Sequence, residues 1–149
     1  MKIIFVDIEG VLISLAAQRL GDQADPACVA RLNSLAAEAQ AALVVSSTWR
    51  SQDPDELTAL LKTWGVTALI AGVTDDLSYL DLTSPIGIRR GDEISQWLDA
   101  HPEVDDFVIL DDDDDMGSLR PYLVQTETDQ GLTDDQATRA ALLLRAVSL

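Results

Sequence analysis

Residues 2–10, Lys-Ile-Ile-Phe-Val-Asp-Ile-Glu-Gly, carry the clearest fold signal in the chain. The first five form a short run of apolar and β-branched side chains, which is typical of a strand buried on both faces. Two carboxylates, Asp7 and Glu9, interrupt the apolar run at once, so the run is too short for a signal peptide. We therefore predict a buried strand at residues 2–6 with acidic side chains at its carboxyl end.

Strand and helix patterns alternate outward from this segment. Further strands are predicted at residues 41–45, 67–71, 107–110 and 122–125. Helices are predicted after the Asp-Pro pairs at 25–26 and 53–54, from Gly91 onward, and from a capping box at 133–136 to about residue 146. Strands separated by helices imply right-handed crossovers and a parallel sheet. The length of 149 residues suits one domain, which we expect to span residues 1–149.

The composition restricts the partners and the compartment. The chain has 26 acidic and 10 basic residues, a formal charge of −16, so it repels polyanions at long range. It lacks the basic stripe of nucleic-acid-binding domains, which disfavours nucleic acid unless basic residues gather at a local site. The single cysteine, Cys28, excludes an internal disulfide and fits a reducing compartment. No segment approaches a membrane span. We expect a cytoplasmic protein with no membrane partner.

Polar clusters follow three of the predicted strands. Asp7 and Glu9 follow the first strand, the run from Ser46 to Arg50 follows the second, and five aspartates from Asp111 to Asp115 follow the fourth. Ligands of doubly wound sheets bind beyond the carboxyl ends of the strands, so these clusters predict one shared site.

The residue types in these clusters indicate a metal and a phosphate. Gathered carboxylates stay ionised together only if a cation lies between them, and oxygen ligands beside a phosphate suit Mg²⁺. The hydroxyls of Ser46 and Ser47 could donate hydrogen bonds to a phosphate oxygen. The nearby arginines could neutralise its charge: Arg50, Arg89 and Arg90.

Each cluster alone has a simpler interpretation. A lone aspartate after a strand is usually a turn or cap residue, and a run of aspartates is usually a solvated loop. An EF-hand calcium loop starting at Asp111 fails, because Met116 stands where glycine is required and Tyr122 where the bidentate glutamate is required. A phosphorelay receiver would carry its phosphorylated aspartate after the third strand, where this chain has Ala-Gly-Val at 71–73. The three clusters in this order are more specific than any one of them.

Four segments resemble the motifs of the haloacid dehalogenase (HAD) superfamily. Residues 5–12, Phe-Val-Asp-Ile-Glu-Gly-Val-Leu, resemble motif I, Asp-x-Asp-Gly, and residues 44–50, Val-Val-Ser-Ser-Thr-Trp-Arg, resemble motif II. Arg89-Arg90 before a helix resembles motif III, and Ile-Leu-Asp-Asp-Asp at 109–113 resembles motif IV. The chain is most similar to the small HAD domains of bacterial RNA-repair proteins and of stand-alone phosphatase-like proteins, which share Ser-Ser-x-Trp-Arg and a late Gly-Leu-Thr, here 131–133. The resemblance implies a capless α/β fold, a three-layer Rossmann-like sandwich with a mainly parallel five-stranded sheet ordered 5-4-1-2-3.

The resemblance also implies a function. It is that of a Mg²⁺-dependent phosphomonoester phosphatase that acts through an aspartyl-phosphate, on a phosphorylated substrate that can be macromolecular. The implied catalytic residues are Asp7, Glu9, Ser46 and Arg90 (or Arg89 in its place), and the implied substrate contacts are Ser47, Arg50 and Arg89. The implied metal ligands are Asp7, the backbone carbonyl of Glu9, Asp111 and Asp112, and Asp115 is a further candidate. Asp112 and Asp115 would contact the metal directly or through water.

One residue departs from the family pattern. The family phosphatases carry aspartate as general acid and base two residues after the nucleophile, whereas this chain has Glu9. Moving a catalytic group by about 1 Å can cost about a hundredfold in rate. Weak phosphatase activity is therefore the first hypothesis, and a non-catalytic HAD-fold binding or interaction module is the alternative.

Overall fold

Strands and helices alternate along the chain, as the sequence patterns predicted. The computed structural model describes residues 1–19, 21, 23–46, 53–75, 77 and 89–145. The strands are β1 (Lys2–Val6), β2 (Ala41–Val45), β3 (Ile70–Val73), β4 (Asp106–Asp111) and β5 (Leu123–Gln125). The helices in the described ranges are α1 (Leu15–Arg19), α2 (Pro26–Ala39), α3 (Pro54–Thr63), α4 (Arg90–Asp99), α5 (Asp134–Arg145) and a 3₁₀ helix (Gly117–Tyr122).

All five strands pair in parallel, in the order β3-β2-β1-β4-β5. This is the predicted order 5-4-1-2-3 read from the opposite edge, so the predicted topology is confirmed. β1 lies in the centre, where Val6 pairs with Val45 of β2 and with Leu110 of β4. The residues that directly follow these three strands therefore lie side by side at one edge of the sheet.

The central strand is apolar throughout because both of its faces are buried. Ile4 and Val6 belong to a core that also contains apolar side chains of α2, α3 and α5. Ile3 and Phe5 point to the other face and pack with α4, where the Phe5 ring meets Trp97 edge-on at a centroid distance of 5.6 Å. Helices thus cover both faces of the sheet, which confirms the three-layer α/β sandwich.

The predicted helix starts are explained by their caps. The Asp25 and Asp53 carboxylates accept hydrogen bonds from backbone N–H groups two residues later, each at a helix with proline in its first turn. The Thr133 hydroxyl accepts from the Gln136 N–H, and the Gln136 side chain accepts from the Thr133 N–H. This reciprocal pair is the capping box that the sequence predicted.

The predicted third strand, residues 67–71, was wrong in its position. The Thr67 N–H donates to the Asn33 side chain of α2, at 2.9 Å, and so does not join the sheet. Pairing along β3 begins only at Ile70, after an irregularity in register against β2. The strand consequently ends at Val73, two residues later than predicted.

Smaller differences occur elsewhere. β4 includes one residue more at each end than predicted, so that Asp111 is the last residue of the strand. β5 begins at Leu123, because Tyr122 closes the 3₁₀ helix. The short helix α1 lies where no helix was predicted, and the Ser14 hydroxyl accepts from the Ala17 N–H in its first turn. None of the helices in the described ranges combines the length and apolar character that a membrane span requires.

Candidate active site

Asp7, Ser46 and Asp111 lie side by side along the sheet where β1, β2 and β4 end. The Asp7 N–H donates to the Leu110 carbonyl at 3.0 Å, and the Ser46 N–H donates to the Val6 carbonyl at 2.9 Å. Asp111 ends β4 on the other side of Asp7. Parallel ladders fix this arrangement, because adjacent strands lie about 4.8 Å apart. The topology therefore brings together the first residue of each of the three predicted clusters.

A compact group of carboxylates occupies this edge. Asp7, Asp111 and Asp112 each offer one carboxylate oxygen, and these three atoms lie within 4.8 Å of one another. Asp7 is 7% exposed and Asp111 only 2% exposed. Backbone N–H groups hold two of the carboxylates, with Ile8 donating to Asp7 at 2.8 Å and Asp113 donating to Asp111 at 3.0 Å. The three side chains are thus oriented toward one small volume.

The electrostatics of this group favour a bound cation. Burial, and then the charge of Asp7, raise the pKa of Asp111 to about 9. The Arg90 guanidinium opposes this shift, with Nε 3.8 Å from Asp111 Oδ2, but it does not cancel it. Both carboxylates can be ionised at neutral pH only when further positive charge is present. An all-oxygen donor set of this size fits a hard divalent ion such as Mg²⁺.

Two potential hydrogen-bond donors at this edge of the sheet, Ser46 Oγ and Arg90 Nη1, have unused hydrogen-bonding capacity. Among the described residues, the buried side-chain atoms without a hydrogen-bond partner are these two and the carboxylate oxygens Asp106 Oδ2 and Asp115 Oδ1. Leaving such an atom unsatisfied costs about 1–3 kcal/mol, more for a charged group. Arg90 lines a cavity of about 170 Å³ with the acidic residues of the site, namely Asp7, Glu9, Asp111, Asp112 and Asp113. The Arg90 guanidinium in this cavity fits the oxygens of a phosphate group, and the Ser46 hydroxyl, at the end of the strand next to β1, offers a second donor.

The remaining predicted site residues differ in whether they line this cavity. Glu9 is exposed and lines the cavity. Arg89 does not line it, and its guanidinium Nη2 lies 3.6 Å from Asp92 Oδ1 while packing against Gly117. Of the two arginines that were predicted as alternatives, Arg90 is therefore the one in contact with the site. Ser47 and Arg50 lie outside the described residues.

Asp115 faces a helix terminus. Its carboxylate Oδ2 accepts from the Arg90 N–H at 3.1 Å, and its carbonyl accepts from the Gly91 N–H at the same distance. The acidic loop is thereby joined to the first turn of α4, from which the Arg90 side chain reaches the cavity. Sequence reasoning had offered Asp115 only as a metal contact and missed this capping role.

Replacing Gly91 with alanine is expected to destabilise the protein by about 2 kcal/mol. A Cβ at Gly91 would lie 2.1 Å from the Met116 carbonyl oxygen, so either the helix or the acidic loop would have to move. Urea unfolding measures the loss. Gly72→Ala is the matched control, because a Cβ there meets the Trp97 ring at an ordinary 3.5 Å. Equal stabilities for the two variants would contradict the close packing of loop and helix.

One contact to the carboxylate group was not indicated by any sequence pattern. The Thr128 hydroxyl, on the turn after β5, donates to Asp112 Oδ2 at 2.8 Å. Asp112 also lies directly against Gly10, since a Cβ at Gly10 would be 2.2 Å from the same carboxylate oxygen. Gly10 has φ +79°, a conformation that favours glycine. Glycine is therefore required at position 10 for two reasons: the backbone has a positive φ, and Asp112 leaves no room for a side chain.

Comparison with known proteins agrees with this geometry. A family described as "HAD domain in Swiss Army Knife RNA repair proteins" matches residues 3–137, which include every described residue of the site. Neither curated proteins nor solved structures gave a significant match. The family match covers most of the chain, and the sheet order and the carboxylate group agree with it. This chain therefore belongs to the HAD superfamily, in the family of HAD domains of Swiss Army Knife RNA repair proteins.

Proposed function

We propose that this protein is a Mg²⁺-dependent phosphomonoester phosphatase that forms a phosphoryl intermediate on Asp7. The observation that carries the proposal is the grouping of the Asp7, Asp111 and Asp112 carboxylates near two donors without a hydrogen-bond partner: Arg90 Nη1, whose residue lines the same cavity, and Ser46 Oγ, whose residue follows the strand next to β1. The first group suits a divalent cation and the second suits a phosphate. A site for both at the end of a central strand supports phosphoryl transfer.

In the first half of the reaction, an Asp7 carboxylate oxygen attacks the phosphorus atom. The bond between phosphorus and the ester oxygen breaks, and the Glu9 carboxyl group gives that oxygen its proton. The Ser46 hydroxyl and the Arg90 guanidinium donate hydrogen bonds to the phosphoryl oxygens, which stabilises the charge in the transition state. Mg²⁺, when bound, offsets the repulsion between the phosphate and the carboxylates.

In the second half, water releases the phosphate. The Glu9 carboxylate takes a proton from a water molecule, whose oxygen attacks the phosphorus atom. The bond between phosphorus and the Asp7 oxygen breaks, which leaves inorganic phosphate and a free Asp7 carboxylate. Glu9 ends the cycle protonated, ready to protonate the next leaving group.

The family description makes an RNA end the first macromolecular substrate to examine. A terminal phosphate on RNA is a phosphomonoester, and the matched domains occur in RNA repair proteins. The charge of −16 slows the approach of a polyanion, an effect that salt screens. We therefore include RNA terminal phosphates in the proposed substrate class, beside small phosphomonoesters.

A substrate panel tests the proposal. It contains an aryl phosphate and oligoribonucleotides with a 5′- or a 3′-phosphate, each assayed for phosphate release with Mg²⁺ and with EDTA. Release that requires Mg²⁺ supports the phosphatase. If the wild-type protein released no phosphate from any member of the panel, the site would act in binding alone, as in the alternative of a non-catalytic HAD-fold module.

Changing Glu9 to aspartate is expected to raise kcat by about fivefold, and changing it to glutamine to lower it. The longer glutamate must fold back to reach the scissile oxygen, which costs on the order of 1 kcal/mol in side-chain entropy and rotamer energy. Glutamine keeps the size of glutamate but cannot exchange a proton. Steady-state kinetics on the aryl phosphate measure both effects. A Glu9→Asp variant slower than wild type would show that the site is built for glutamate.

A further inference from the structure

The turn that follows β5 contacts both loops that carry the carboxylates. Thr126 is buried, and its N–H donates to the Asp111 carbonyl at 2.9 Å while its hydroxyl donates to the Gly10 carbonyl at 2.6 Å. The Gln125 side chain donates to the Asp112 carbonyl at 3.1 Å. This turn therefore fixes the backbone of the β1 loop and that of the β4 loop relative to each other.

Thr128 extends the same turn to a side chain of the site. Its hydroxyl donates to Asp112 Oδ2 at 2.8 Å, and the Glu127 carbonyl accepts from the N–H groups of Gln130 and Gly131, which closes the turn. The Asp112 carboxylate also rests against Gly10. Two contacts from different segments thus restrict rotation of a carboxylate that would otherwise be free at the half-buried rim of the site.

We propose that Thr128 is a positioning residue for divalent-cation binding, acting through Asp112. This inference rests on the proposed function, because it takes Asp112 to contact the cation directly or through water. Partners that hydrogen-bond a ligating carboxylate fix its orientation, and removing one typically weakens metal affinity about 10- to 100-fold. Thr128 itself is exposed, so its hydroxyl serves no core packing that would explain its contact with Asp112 otherwise.

The test measures the affinity of the whole chain for Mg²⁺ without any substrate. The rise in thermal unfolding temperature across a Mg²⁺ titration gives the dissociation constant of each variant. Thr128→Val removes the hydroxyl at nearly constant volume and charge, and we expect it to weaken Mg²⁺ binding at least about tenfold. Thr128→Ser keeps the hydroxyl and is expected to retain the wild-type affinity. Thr63→Val is the matched control, since it removes an exposed hydroxyl that donates to the Ala59 carbonyl in α3.

The outcomes separate this inference from the proposed function. Weakened binding in Thr128→Val, with wild-type affinity in Thr128→Ser and Thr63→Val, supports the positioning role. Wild-type affinity in Thr128→Val overturns that role and leaves the phosphatase proposal intact. Equal weakening in Thr128→Ser also overturns it, because the hydroxyl would then not be the group that matters. A wild-type protein that binds no Mg²⁺ overturns both proposals.

Discussion

An Asp7→Asn variant is expected to lose phosphate release from an aryl phosphate, with kcat reduced by at least about a thousandfold. Asparagine has nearly the same shape, and the backbone hydrogen bond from Asp7 to Leu110 does not involve the side chain. The fold should therefore persist. The amide, however, lacks the anionic oxygen that attacks phosphorus, and it is a poorer ligand for a cation.

The control for this experiment is Asp99→Asn. Asp99 is an exposed residue at the last position of α4, at the opposite end of that helix from Arg90. Asp99→Asn changes the net charge by the same amount as Asp7→Asn without altering the site, so the kcat of this variant should equal that of wild type. Turnover in Asp7→Asn within tenfold of wild type would exclude Asp7 as the nucleophile.

An Asp111→Asn variant is expected to be more stable than wild type in EDTA at pH 8, by about 2 kcal/mol, and to lose its response to Mg²⁺. At pH 8 the metal-free fold must hold a proton on Asp111, because burial and the charge of Asp7 raise the pKa of that group to about 9, whereas the unfolded chain leaves it ionised. Asparagine is neutral in both states and so avoids this cost. For a chain of this size the gain corresponds to a rise of about 5 °C in unfolding temperature. The same change removes a carboxylate from the candidate cation site, so added Mg²⁺ should stabilise wild type alone.

The pH dependence of this effect has a definite sign. The pKa of Asp111 rises to about 9 in the folded protein, above its unfolded value of about 3.9. The protonated group therefore contributes stability that is complete below about pH 4 and is lost as the pH rises through about 9. Thermal unfolding in EDTA should show wild type losing stability over this range relative to Asp111→Asn. An Asp111→Asn variant that is less stable than wild type at pH 8, or that keeps the Mg²⁺ shift, would contradict the account.

Much of the fold could be predicted from local sequence. β1 and β2 were placed at their observed bounds, because central parallel strands are buried on both faces and form continuous apolar runs. The Asp-Pro pairs and the Thr133–Gln136 box marked helix starts through contacts between near neighbours. β3 was misplaced because its start depends on Asn33, a residue far away in sequence that binds the Thr67 N–H. No pattern within a strand reports such a contact.

The candidate site also has parts that local sequence predicted and parts that it did not. The placement of Asp7, Ser46 and Asp111 at one edge of the sheet could be predicted because each directly follows or ends a strand, and adjacent parallel strands bring their ends together. The choice between Arg89 and Arg90 depended on the start of α4, which the sequence placed one residue late. Thr128 lies 16 residues after Asp112, in a turn with no distinctive pattern, so only the folded chain reveals their contact. Contacts that orient the side chains of a site depend on tertiary structure more than on sequence motifs.

Detection of a phosphoryl group on Asp7 tests the central claim most directly. The Glu9→Gln variant, incubated with aryl phosphate and Mg²⁺, is quenched in acid and digested with trypsin, which yields the peptide of residues 3–19. An aryl oxide is a good leaving group that departs without a proton, so glutamine at position 9 should largely spare the first step of the reaction. Glutamine cannot activate water for the second step, so the phosphorylated form should accumulate. We predict a phosphorylated 3–19 peptide that hydroxylamine dephosphorylates, as expected for an acyl phosphate, and that is absent in EDTA and in the Asp7→Asn protein. Phosphate release by wild type with no phosphorylated 3–19 peptide in Glu9→Gln would contradict the account.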